Sequence, residues 1–135
     1  HKEYRRQRQM CIRDSFNLPA AHALGAALDL IESVGIPDIE LHCYALGDRL
    51  IAGLDNLNIP LVGPRNHNDR SPHIYVPRLP AEHWYSYLAQ QNIRVSPERD
   101  GIRISLGMFN TEKDIGNFLD AVSNGLTKLD TNIVA

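Results

Sequence analysis

The stretch Gly101-Ile102-Arg103-Ile104-Ser105-Leu106-Gly107-Met108-Phe109-Asn110-Thr111-Glu112-Lys113-Asp114-Ile115 narrows the possible folds of this chain more than any other. Ile102, Ile104 and Leu106 alternate, so a strand puts them on one face and turns Arg103 and Ser105 to the other. Thr111, with Asp114 three residues on, is a variant of the capping box that opens a helix, its hydroxyl accepting from an unpaired backbone N–H. Ile115, Phe118, Leu119, Val122, Leu126 and Leu129 then recur at helical spacing and make one apolar stripe. The segment is a strand, a turn and a helix, with a guanidinium held on the strand face away from the core.

An arginine, a hydroxyl residue two positions on, and an aromatic-Asn-Thr-Glu turn into the last helix are here Arg103, Ser105, Phe109, Asn110, Thr111 and Glu112. This ending resembles that of the class V aminotransferase-like enzymes, pyridoxal-phosphate (PLP) enzymes of fold type I. That family includes cysteine desulfurases, selenocysteine lyases, isopenicillin-N-epimerase-like proteins and kynureninases. The resemblance implies the small C-terminal α+β domain of such an enzyme, with helices packed on a small, mainly antiparallel sheet. A fold type I subunit is roughly three times longer than these 135 residues, so it also implies a fragment.

Residues 1–15 differ from the rest. They carry a net charge of +3 against −5 for the remainder, and they lack apolar periodicity. Tyr4 to Ser15 resembles a translated sequencing adapter of the kind met at the ends of environmental (metagenomic) gene assemblies, so the segment is expected to be an artefact or a disordered tail. Residues 16–35 are expected to form an interdomain helix. Asn17 can cap it, Pro19 suits its first turn, and Leu24, Leu28, Ile31 and Val34 make a stripe amid alanines, an all-round apolar pattern that predicts burial between two layers. Asn17-Leu18-Pro19 and the helix after it also resemble the family, although the Gly-Thr dipeptide usual before that asparagine is replaced by Asp14-Ser15.

Residues 36–135 are expected to be the small domain. Gly35 and Pro37 separate two helices, and Cys43, Leu46, Leu50, Leu54 and Leu57 repeat at gaps of four and three. Asn56-Leu57-Asn58 ends the second helix. Strands are expected at Ile59–Val62, His73–Val76, Ile93–Ser96 and from Gly101, with a short helix from Pro80 that presents Trp84, Tyr87 and Leu88, and a tight connection over Pro97 to Asp100. The resemblance is weakest from Gly63 to Arg78.

The mildly acidic body gives no reason to expect nucleic-acid binding, and no apolar run approaches the ~20 residues of a membrane span. Two scattered cysteines, Cys11 and Cys43, suggest neither a disulfide framework nor a metal site, so a soluble protein of the reducing cytoplasm is expected. His42 and Cys43 are adjacent and point about 100° apart on a helix. His67, Asp69 and His73 share a loop that nothing fixes, so no metal site is assigned.

The resemblance implies that Arg103 binds the α-carboxylate of an amino-acid substrate. A guanidinium suits that role, because it matches a carboxylate at two points and keeps its charge. The residues alone leave open a pairing of Arg103 with Glu98 or Asp100. PLP is the implied cofactor of the full-length parent, with a homodimer as its assembly. No residue here is assigned a catalytic or cofactor-binding role. Outside residues 1–15 the lysines are Lys113 and Lys128, neither matching the family's cofactor lysine, so the fragment alone is expected to be inactive. Between Val95 and Arg103 there is no cysteine, where desulfurases carry a nucleophilic one on a mobile loop. The alternative is a non-catalytic α+β module that binds an amino acid or a protein partner.

Overall fold

The computed structural model describes residues 17–133. The expectation for residues 1–15 lies outside them, as does any statement about the side chain of Leu129. The chain divides into two compact units, the division falling between Ile36 and Pro37.

The first unit contributes helix α1 (Leu18–Val34). Asn17 caps it by accepting from the Ala20 N–H at 3.1 Å, and Pro19 lies in its first turn. Gly35 ends it at φ 91°, its N–H returning to Ile31 O at 2.9 Å. No residue of α1 is buried: Leu18, Leu24 and Leu28 are 60%, 62% and 50% exposed. The burial that its composition predicts is therefore absent from this chain. An apolar stripe states that a helix needs a neighbour but does not supply one.

The second unit holds α2 (Ile36–Asn56), β1 (Leu61–Val62), a 3₁₀ turn (His67–Asp69), β2 (Ile74–Pro77), α3 (Ala81–Gln90), β3 (Ser96–Glu98), β4 (Gly101–Ser105) and α4 (Glu112–Ile133). The strands form one antiparallel sheet in the order β1-β2-β4-β3. With helices on such a sheet this is the expected α+β arrangement. Cys43, Leu46, Leu50 and Leu54 are buried along α2 as their spacing predicts, while Leu57 is half-buried. Trp84 and Leu88 from α3, Ile115, Phe118 and Val122 from α4, and Tyr75, Ile102 and Ile104 from the sheet complete one core.

Two asparagines shape the ends of α2 and α3. Asn58 and Asn92 take the left-handed conformation at φ 56° and 59°. Ile59 N–H then returns to Leu54 O and Asn58 N–H to Asp55 O; Ile93 and Asn92 do the same to Leu88 and Ala89. Each is a Schellman closure, and each drops a buried or half-buried isoleucine onto the core just past the helix.

The third strand lies later than expected. It runs over Ser96–Glu98 rather than Ile93–Ser96, and Pro97 sits within it opposite Ile102. A proline is tolerated there because β3 is an edge strand, so the missing N–H costs no ladder bond. The tight connection shrinks to the two residues Arg99 and Asp100. Gly101 is required on the other side of that turn, since a Cβ there would stand 2.0 Å from Pro77 O.

Candidate functional site

Strand β4 does what its alternation predicts. Ile102 and Ile104 are buried against the helices, while Arg103 is half-buried and Ser105 exposed on the opposite face. The register places Ser96 of β3 directly opposite Arg103 and Val62 of β1 opposite Val76 of β2. Continued by one residue, the β2–β4 pairing sets Val76 against Arg103. A transverse row therefore crosses the sheet as Val62, Val76, Arg103, Ser96, with Ile74 and Ser105 in the row beside it. The helices fill the other face. This one presents a single arginine between β-branched residues and two serines, with Val62 and Val76 half-buried and Ile74 38% exposed.

The guanidinium is sparsely bonded for so fixed a position. Nη1 lies 3.2 Å from Glu98 Oε1, in a pair whose side chains are each 41% exposed. Nη2 donates to Ser96 Oγ over 3.4 Å, and Nε is buried without a hydrogen-bond partner among the described residues. Of the two acids that the sequence leaves open as partners, Arg103 pairs with Glu98. A planar fork with most of its donors unused is what a carboxylate needs.

The loop after β4 is held by Asn110. Its Oδ1 accepts from Gly107 N–H at 2.9 Å, and its carbonyl accepts from His42 Nε2 at 2.9 Å. His42 thus ties this loop to α2. Phe109, next in line, is 79% exposed. The cap of α4 differs in detail from expectation. Asp114 Oδ2 accepts from both the N–H and the hydroxyl of Thr111, at 2.7 and 3.1 Å, so the hydroxyl donates rather than accepts. Those bonds, the backbone one first, hold the Asp114 carboxyl below its usual range.

The loop before β2 is anchored by a cluster that sequence reading missed. His67 stacks on Tyr44 with ring centroids 4.2 Å apart and donates to Asp48 Oδ1 at 2.7 Å. Tyr44 donates its hydroxyl to His67 O at 3.0 Å, and Arg70 lies 3.8 Å over the buried Tyr75 ring. Tyr44 and Asp48 are one turn apart on α2, and that spacing is the only local signal of a shared partner. His73 lies 2.7 Å from Ser71 instead, and among the described residues no three His, Cys, Asp or Glu side chains are placed to hold a metal ion. Cys43 is 2% exposed, and burial pushes its thiol up, away from the reactive thiolate form.

The described residues do not fit PLP by themselves. Lys113 and Lys128 are exposed on α4, a helix whose buried side chains pack on the sheet face opposite to Arg103. What the open sheet face presents is one guanidinium with donors still unused. No helix among the described residues is long and apolar enough to cross a membrane.

No protein-family model matches the chain. An uncharacterized protein of Schizosaccharomyces pombe is 38% identical over 104 residues, which is 77% of this chain and 24% of that protein. An uncharacterized aminotransferase of the same yeast is 31% identical over 106 residues, 78% of this chain and 27% of that protein. Among solved structures, the apo cysteine desulfurase of Thermococcus onnurineus NA1 superposes with a TM-score of 0.75 at 25% identity, over 83% of this chain and 32% of its own. A NifS-like protein gives 0.75 at 23%, over 84% and 34%. The chain spans about a quarter of the length of the curated relatives it matches and a third of these solved chains. Its fold is that of the small C-terminal domain of the class V aminotransferase fold.

Proposed function

We propose that this chain is the substrate-facing small domain of a PLP-dependent class V aminotransferase-like enzyme, and that Arg103 binds the α-carboxylate of its amino-acid substrate. The observation that carries the reading is the under-used guanidinium, fixed on the open sheet face with its Nε buried and unpartnered. A half-buried position between Val76 and Ser96 weakens competition from water, so a bound carboxylate there gains more than it would on a surface. Holding it fixes the orientation of the substrate α-carbon.

In this reading the cofactor and its lysine would come from outside this chain, and PLP would supply an electron sink next to the substrate α-carbon that Arg103 orients. The likeness to an aminotransferase and a cysteine desulfurase supports an enzyme of this family as the parent; the assembly we propose for that parent is a homodimer. The segment between Val95 and Arg103 carries no cysteine, which speaks against a desulfurase that uses a loop cysteine. The β3–β4 turn is Arg99-Asp100, and the one described cysteine, Cys43, is buried in the core.

The test is made on the complete protein that carries this chain, purified and examined by visible absorbance. A coloured product whose spectrum shifts with an amino acid is expected, and Arg103→Ala should weaken that titration roughly ten- to a hundredfold, the loss of a charge-assisted pair, while leaving the colour in place. Unchanged affinity in the variant returns Arg103 to a structural role. A colourless, folded product leaves a non-catalytic binding module as the reading.

A further inference from the structure

We infer that Glu98 is a built-in competitor for the carboxylate site, occupying Arg103 when no substrate is bound and giving way when one arrives. The inference rests on the reading of Arg103 as a carboxylate-binding residue, and goes beyond it by assigning a second residue a part in affinity.

The geometry makes Glu98 the natural occupant. It stands on the same face of β3 as Ser96, which directly opposes Arg103. Its own cross-strand partner is Gly101, so no side chain stands between the Glu98 carboxylate and the guanidinium. Gly101 in turn cannot carry a side chain, because Pro77 O blocks the position of its Cβ. The pairing of a glutamate with an empty neighbour is thus enforced by the close approach of β2.

The contact is built to be exchanged. One Glu98 oxygen reaches one guanidinium nitrogen at 3.2 Å, whereas Arg65 and Asp55 in the same unit form a two-point pair at 2.8 and 2.6 Å. Nε of Arg103 stays unpartnered although it is buried. A substrate carboxylate that takes Nη1 gains the guanidinium without breaking a two-point pair, and the displaced Glu98, already 41% exposed, returns to water. Neutral Ser96 offers only a long hydroxyl contact, so Glu98 is the charged competitor among the described residues.

The experiment uses the full chain, labelled with nitrogen-15, and follows the Arg103 Nε–H resonance during titration with glycine. The resonance is assigned by its absence in Arg103→Lys, and binding to Arg103→Ala is followed through backbone amides of β4. Glu98→Gln should bind glycine roughly two- to fivefold more tightly, the worth of an exposed ion pair. Asp100→Asn removes a neighbouring negative charge that does not touch Arg103, and should change affinity less. Glycine bound by Glu98→Gln but not detectably by the parent chain also supports the inference. Equal gains in both variants, or no gain in Glu98→Gln, overturn it and leave the proposed role of Arg103 standing. Binding that survives in Arg103→Ala overturns that role as well, and no binding in any form overturns both.

Discussion

Gly101→Ala and Gly116→Ala are the same chemical change with opposite expected signs. A Cβ at Gly101 would lie 2.0 Å from Pro77 O and 3.0 Å from Pro77 C, both backbone atoms of the neighbouring strand. Neither can swing aside as a flexible side chain would, so β2 and β4 must separate. Overpacking of this kind costs about 1–3 kcal/mol, and a backbone clash belongs at the upper end. At Gly116 a Cβ meets nothing within 4 Å, and the residue lies inside α4. Alanine there recovers the backbone entropy of a helical glycine, stabilising by about 0.5–1 kcal/mol. The two variants should therefore differ by about 1.5–4 kcal/mol. Urea unfolding followed by the fluorescence of Trp84, which is buried in the core, measures both midpoints. Because Arg103 stands two residues along β4, Gly101→Ala should also broaden or shift the Arg103 Nε–H resonance. A midpoint for Gly101→Ala equal to that of the parent chain would refute the close approach of the strands, and with it the reason that Glu98 faces an empty neighbour.

Further outcomes follow from the caps and the core. Asn58→Ala should destabilise the chain by about 1 kcal/mol, since the left-handed conformation brings the alanine Cβ too close to the following carbonyl oxygen, while Asn58→Gly should be close to neutral by the same unfolding assay. The Asp114 carboxyl is held below its unfolded value by Thr111. Its contribution is therefore present above the ordinary carboxylate pKa and lost as pH falls through the lowered folded value, so Asp114→Asn should flatten the acid limb of a stability-versus-pH curve. Val122→Ala, at a fully buried position of α4, should cost about 1–3 kcal/mol through the cavity it leaves; a smaller loss would mean that the core collapses around it.

The elements whose information is local are legible in the chain alone. The alternation of Ile102, Ile104 and Leu106 set which way Arg103 points, because a strand has only two faces. The four-and-three spacing from Cys43 to Leu54 set the buried side of α2, and Asn17 and Asn58 set helix ends through side-chain and left-handed backbone chemistry. The resemblance in the Arg103 to Glu112 ending was equally legible, being carried by contiguous residues.

The tertiary structure decided whatever depends on a neighbour distant in the chain. Pro97 argues against a strand when read alone, and only the edge position of β3 admits it. The stacking of His67 on Tyr44 joins residues 23 positions apart, which no local pattern encodes. The stripe on α1 reads as a buried helix, yet no residue of it is buried, because burial belongs to a pair of surfaces and the sequence of one describes only half. Arg103 shows the division within a single residue. Alternation placed it on the open face, but its choice of Glu98 over Asp100 came from the register that sets Gly101 opposite the glutamate and leaves the way clear.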